Sequence, residues 1–474
     1  MILKQEGIPH EIVREPSTVS LRAGRFILYD SRCGAPRALR GKLLPDHVTI
    51  DLDQFRRHER VDPFQALIDN RSAPATWSFD GIDLTERVAR QPKSWIRRRL
   101  IDSLREIVTD AGGVWMRLSS FPYPYRSAFN LRIDLDEPSP DDYRRFARAR
   151  TPLDDCCTHF VSTHAYGHRA SILADLRRLD TQSHGHFHFV YRDPAANRRN
   201  IYRADCILRE AGIPPIGFSA PHGRWNHGLD DALEEAGYLY SSDFQLGYDD
   251  LPFFPWKRNR FSKVLQVPIH PVCEGLFLEA GVHDQFTIAE YFQSVIEHKL
   301  NAREPALIYG HPERRLARMP GMLAHLARLI DGESLVWRTT LTDWACWWQW
   351  RLDRRWMVLP REENQFEIQF DEWDAEYPLG IEIYRGRFHC SLPVTGPRFT
   401  LKLDNLVYER QLDPPDYPQP PRYDKHIPSL RETIRKVIDW ETVTPIEELA
   451  GSSLPDRLKL GLRWWKLQRS GVEE

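Results

Sequence analysis

Residues 129–135 read FNLRIDL and run straight into Asp136 and Glu137. Apolar side chains at alternate positions mark a β-strand, and the acids fall where that strand ends. Four stretches downstream repeat the pattern of a short β-rich run with polar residues at its C-terminal end: THFVST (158–163), PPIGFSAP (214–221), VLQVPIH (264–270) and ALIYGHP (306–312). Helical stretches separate them, at 140–149, 169–179, 197–212, 229–237, 288–300 and 322–330. Strands alternating with helices predict parallel βαβ units in an α/β fold. Chemistry on such folds gathers where the strands end, as in (β/α) barrels.

Outward from this middle segment (126–350) the pattern changes on both sides. Residues 1–125 mix strand-like runs at 25–29 and 48–52 with a charged helical stretch at 94–111, which predicts a small N-terminal α/β unit. Its acidic Asp51-Leu52-Asp53 has no histidine close by in sequence and reads as loop capping rather than as a site. Residues 351–411 carry the alternating runs FEIQFDEW, GIEIYRGRFHCSLPV and RFTLKLDNLVYERQL, expected as a C-terminal antiparallel β module. The Pro-rich DPPDYPQPPRYDKHIP then opens a linker and helical tail at 412–474.

Composition bounds the function. A chain of 474 residues is too long for one core, and domains of ~100–200 residues suggest about three. Lys+Arg 65 against Asp+Glu 67 leaves a net charge of −2, so no global field draws in nucleic acid. No run approaches the ~18 apolar residues of a membrane-spanning helix. The first residues, MILKQEGIPHEIVREP, lack the apolar core of a secretory signal. Seven scattered cysteines with no CxxC read as reduced thiols, so the expected location is cytoplasmic.

Three features carry chemistry. Strand alternation puts Asp134 and Asp136 on one face, where paired carboxylates divide into a metal ligand and a base or stay as solvated acids. In Ser183-His184-Gly185-His186-Phe187-His188, His184 and His188 stand at i, i+4 and share a face if the segment turns helically, which suits two imidazoles on a divalent cation. The third feature is a pair of strand ends, Ser219-Ala220-Pro221-His222-Gly223-Arg224-Trp225 and Gly310-His311-Pro312.

In order and spacing, these pieces resemble the polysaccharide deacetylase family, the NodB-homology group of family 4-like carbohydrate esterases, over about residues 128–315. The resemblance implies a distorted (β/α) barrel, a divalent metal that is usually zinc, and removal of acetyl groups from N- or O-acetylated sugars. It implies Asp134 as catalytic base, and Asp136, His184 and His188 as metal ligands. His311 is implied as general acid, with Asp243 (in Tyr-Ser-Ser-Asp-Phe, 240–244) as the acid that orients it. Pro221, His222, Gly223, Arg224 and Trp225 are expected at the substrate and oxyanion side. His186 has no family role and reads as a neighbour. The family's third motif begins with an Arg that pairs with the base, where this chain has Ser219. Arg132 or Arg224 supplies that charge from another position, or the base lacks its partner. The expected activity is a metal-dependent carbohydrate deacetylase. The alternatives are a hydrolase of a small non-sugar amide on the same fold and an inactive glycan-binding homologue.

Two aromatic-rich segments remain. Trp344, Trp347 and Trp348 share a helical face behind Thr342 or Asp343 as cap, and helical spacing favours a packing seam over a sugar-stacking platform. In the tail, Lys459, Arg463 and Lys466 line up beside Leu458, Leu460, Leu462, Trp464, Trp465 and Leu467. A basic amphipathic helix of this kind either lies on a membrane surface or docks on its own protein.

Overall fold

The computed structural model describes residues 2–13, 26–33, 37, 39, 42–43, 46–57, 61–191, 193–362, 364–386, 388–410 and 421–423. At its centre is an eight-stranded sheet in which every ladder is parallel. Strand Ser127–Leu135 pairs with Cys157–Val161, and the sheet continues through Asp180–Ser183, Gly217–Phe218, Tyr240–Ser241 and Leu265–Gln266. Along its other edge Ser127–Leu135 pairs with Ala306–Gly310, and Val336–Arg338 adds to its first residues. The sheet curls until its ends meet, where the His270 N–H donates to the Leu307 carbonyl at 2.7 Å. This is the parallel βαβ arrangement expected from the alternation, closed into the distorted (β/α) barrel that the resemblance implies.

The helices form at the predicted stretches because their ends are chemically marked. Proline occupies the first turn of Pro140–Arg150, Pro194–Glu210 and Pro320–Asp331, where its missing N–H costs nothing. The Asp193 carboxylate caps the N–H groups of Ala195 and Ala196. His227–Ala236 starts with the Asn226 side chain on the Leu229 N–H and stops at Gly237 in the left-handed region. All nine residues of Ser127–Leu135 are buried. Phe129, Leu131, Ile133 and Leu135 join the main apolar cluster. The alternate Asn130, Arg132 and Asp134 are buried polar groups and spend their side chains on hydrogen bonds inside the barrel.

The flanking units are less separate than the sequence suggests. Strand Trp115–Leu118, expected in an independent N-terminal unit, pairs antiparallel with Gly380–Arg385 in a four-stranded sheet completed by Phe388–Pro393 and Glu409–Arg410. The buried Arg351 guanidinium ties the same region together, donating to the carbonyls of Ser119 (2.7 Å), Leu118 (3.0 Å) and Gln5 (3.0 Å). The expected β module also supplies a three-stranded antiparallel sheet, Trp356–Glu362, Gln365–Phe370 and Arg398–Lys402. Asp51 accepts from the backbone of Ser31 and Asp53, while Asp53 pairs with Arg32 and Arg57, which is the loop-capping role.

Trp344, Trp347 and Trp348 are buried along Leu341–Asp353, so this face is a packing seam. The cap is Thr340, whose side chain accepts from the Asp343 N–H, two residues before the expected Thr342. Among the described residues no helix is long and apolar enough to cross a membrane. The basic amphipathic stretch 454–467 lies outside the described residues.

Candidate active site

Sheet register builds the site. Leu135 is level with Val161, Val161 with Ser183, and Ser183 with Phe218. The next residues, Asp136, Ser162, His184 and Ser219, therefore emerge side by side at the C-terminal rim. On the other edge Gly310 pairs with Ile133, which brings His311 level with Asp134.

Asp136, His184 and His188 converge, with one donor atom from each lying within 4.8 Å of the others. Asp136 Oδ1 is 3.1 Å from His184 Nε2 and 3.4 Å from His188 Nε2. Segment 184–188 is a bend and not the helical turn that i, i+4 spacing suggested. Gly185 makes the bend at φ +79°, close against the Asn200 side chain, and brings both imidazoles to one carboxylate. His186 turns the other way, its Nδ1 at 2.9 Å from the Thr163 hydroxyl, as expected for a neighbour.

The tautomer of His184 follows from its partner. Nδ1 lies 2.7 Å from the Ser219 carbonyl, which only accepts, so Nδ1 carries the hydrogen. In the neutral ring Nε2 then presents a lone pair to Asp136 Oδ1, and neither buried atom has a hydrogen-bond partner among the described residues. Two acceptors facing each other across 3.1 Å call for a positive charge between them. Donor atoms sharing one tetrahedral cation at ~2.1 Å sit about 3.4 Å apart, so the spacing fits a metal. Burial pushes the His188 imidazole down to about 4 against the pull of Asp136, which keeps it neutral as a ligand must be.

Asp134 is held differently. The Arg132 guanidinium grips it with two parallel hydrogen bonds, Nε to Oδ1 at 2.8 Å and Nη2 to Oδ2. Nη1 of the same arginine donates to the Ser242 carbonyl at 2.6 Å. Burial works to raise the Asp134 carboxyl, but the charge and the hydrogen bonds of Arg132 outweigh it and leave the group below its ordinary value. Ser219 Oγ stands 3.5 Å from each Asp134 oxygen. The charge that the Ser219 position lacks thus comes from Arg132, on the same strand as its partner.

His311 Nε2 lies 3.6 Å from Asp136 Oδ2. Its Nδ1 meets Glu274 Oε1 at 3.1 Å, not Asp243. Asp243 instead accepts from the Ala220 N–H (2.9 Å), the Ser241 hydroxyl (2.6 Å) and the Gln266 amide (3.2 Å), and burial pushes it up to about 6. Its place is therefore beneath the Ser219–Arg224 turn. Sequence reading missed Glu274, since a lone acid opening the short helix Glu274–Glu279 has no motif around it.

Pro221–Gly223 forms a single tight turn with His222 at φ 57°. Gly223 N donates to the Ala220 carbonyl at 2.9 Å and Arg224 N to that of Pro221 at 3.3 Å. His222 packs its ring 4.9 Å from that of His188, and Trp225 rests edge-on against His227. A second acidic group, Asp230, Asp231 and Glu234, is filled by Lys257 Nζ at 2.5, 2.8 and 2.9 Å.

The chain is similar to solved structures of polysaccharide deacetylases. A protein assigned as a polysaccharide deacetylase from Mycobacterium smegmatis aligns at 19% identity over 51% of this chain and 97% of that one, with a TM-score of 0.42. Puue allantoinase aligns at 20% identity over 48% and 92%, TM-score 0.42. A family 4 carbohydrate esterase from Streptomyces lividans, solved with acetate, aligns at 14% identity over 45% and 91%, TM-score 0.32. No family model matches the chain, and no curated protein does.

Proposed function

We propose that the chain is a metal-dependent deacetylase that hydrolyses the acetyl group of an N-acetylated, or O-acetylated, sugar. The observation that carries this reading is the opposed pair of acceptors, His184 Nε2 and Asp136 Oδ1, beside an Arg-held carboxylate and the half-buried His311. Asp136, His184 and His188 would hold the cation, and two imidazoles with one carboxylate suit Zn2+. What a divalent cation supplies at such a site is Lewis acidity, polarising the acyl carbonyl and acidifying water.

The chain's own residues do the rest. Asp134, kept ionised by Arg132, takes a proton from the attacking water. Within the Pro221–Gly223 turn the N–H groups of Gly223 and Arg224 are already spent and proline has none, so the His222 N–H is the donor left for the oxyanion. Burial lowers the His311 imidazole, but contact with Cys273 and Glu274 and the nearby Asp136 charge raise it well above its usual value overall. As general acid, His311 would deliver its proton from Nε2, which faces Asp136 at 3.6 Å, to the leaving nitrogen.

Ser219 in place of Arg is what favours an inactive homologue, and the Arg132–Asp134 pair supports the active reading, because it gives the base a guanidinium from another position. A cytoplasmic location is proposed from the seven free cysteines. Acetate release from N-acetylated oligosaccharides, measured with wild type and D134N, tests the reading. Zinc-loaded wild type should release acetate and D134N should fall by at least ~100-fold. Equal rates in the two would refute it.

A further inference from the structure

We propose that Glu274 is the positioning residue of His311 in this protein, a role the resemblance gives to Asp243. The inference rests on the deacetylase reading above and deepens it.

Glu274 is fully buried and opens a helix immediately behind the His311 loop. Its Oε1 receives two hydrogen bonds from that one residue, from the backbone N at 2.9 Å and from Nδ1 at 3.1 Å. Both the main chain and the ring of His311 are thereby fixed, with Nε2 turned towards Asp136. The approach is built for it, because a Cβ on Gly310 would stand 2.5 Å from Glu274 Oε2. Glycine at the strand end leaves the space this carboxylate occupies.

Cys273, Glu274 and His311 also bring three possible ligand atoms within 4.8 Å of one another. A cation there would collide with a guanidinium, since Arg315 Nη1 lies 2.8 Å from His311 Nδ1 and 3.9 Å from Glu274 Oε1. The two neighbours of Nδ1 cannot both be served. A protonated Nδ1 donates to Glu274, and only a bare one accepts from Arg315. The proton donor in amide hydrolysis is protonated at both nitrogens, so Glu274 is its partner. As the C–N bond breaks, its electron pair passes to nitrogen and takes the Nε2 proton, while Nδ1–H stays on Glu274.

A misplaced acid is costly only when the leaving group needs a proton. Amide nitrogen does, whereas 4-nitrophenolate leaves as the anion. The experiment measures kcat and KM of wild type, E274A, E274Q and D243N on an N-acetylglucosamine tetramer and on 4-nitrophenyl acetate. The amide-to-ester ratio of kcat should fall about 100-fold in E274A, the share a general acid contributes. In E274Q, whose amide oxygen still accepts from both N–H groups, it should fall about ten-fold or less. In D243N both rates should drop together and the ratio hold. KM for the tetramer should stay within about two-fold in E274A. If E274A does not fold, G310A, which displaces Glu274, should lower the ratio by about ten-fold. A parallel loss on both substrates in E274A, or a ratio change in D243N, overturns the assignment. Wild type that releases no acetate from the tetramer overturns the deacetylase reading itself; wild type that releases it while the E274A ratio is flat overturns Glu274 alone.

Discussion

His184 Nδ1 lies 2.7 Å from the Ser219 carbonyl oxygen, and this contact decides which face of the ring is free to bind a cation. Histidine ligands to metals commonly donate their other N–H to an oxygen in this way, which fixes ring and tautomer. If the site is preorganised so, zinc should stabilise the fold by mass action, by ~2.7 kcal/mol at a hundred-fold excess over Kd. Thermal melts of wild type with EDTA and with zinc should separate, and those of H184A should coincide. Coincident melts in wild type would speak against a site of this kind.

Arg132 should be indispensable to Asp134. Both are buried, and removing one partner of such a pair leaves an uncompensated charge at ~3–5 kcal/mol. The arginine also helps to hold the Asp134 carboxyl below its ordinary value. Without it the base protonates at higher pH, so the acid limb of kcat/KM in R132M should move upward. Adding S219R to R132M should bring the limb part of the way back, since that position faces Asp134 at 3.5 Å. An unmoved limb in R132M would break the link between these residues.

Glu86 gives a stability prediction with a definite sign. It sits on the hairpin strand Ile82–Ala89, where burial pushes its carboxyl up to about 7 against the Arg87 N–H, with Glu279 adding repulsion. A carboxyl raised on folding favours the native state below its unfolded value near 4.5 and loses that contribution as pH climbs through about 7. E86Q should therefore match wild type in urea denaturation at pH 4 and exceed it by ~1–3 kcal/mol at pH 8. A difference independent of pH would contradict the burial.

Much of the barrel was legible because each strand and helix carried its own periodicity and end signals. The rim site was legible for a related reason, since acids and histidines at strand ends become neighbours once the strands pair in register. Three things were not. The hairpin Ser72–Phe79 with Ile82–Ala89 turns at Asp80-Gly81, both at positive φ, and Asp-Gly is a usable hairpin signal only where the runs on either side are recognised as strands. The pairing of Trp115–Leu118 with Gly380–Arg385 joins strands more than 260 residues apart, and alternation says nothing about which partner a strand finds. The exchange of Asp243 for Glu274 depends on which side chain reaches a loop across the barrel, a distance that motif order does not contain.

The tryptophan seam should show up as stability. Trp344 is fully buried, stacked at 5.3 Å on Phe121 and 5.4 Å from Trp348. W344A should cost ~3–5 kcal/mol in denaturant unfolding. A loss below ~1 kcal/mol, with KM for an oligosaccharide raised instead, would point to a sugar platform.

The metal content of the purified protein bears most directly on the shared cation. After zinc loading and dialysis, elemental analysis should find about one zinc per wild-type chain and close to none in H184A or D136A, with both variants folded. Wild type that retains no metal, or variants that retain as much as wild type, would contradict a cation held by Asp136, His184 and His188.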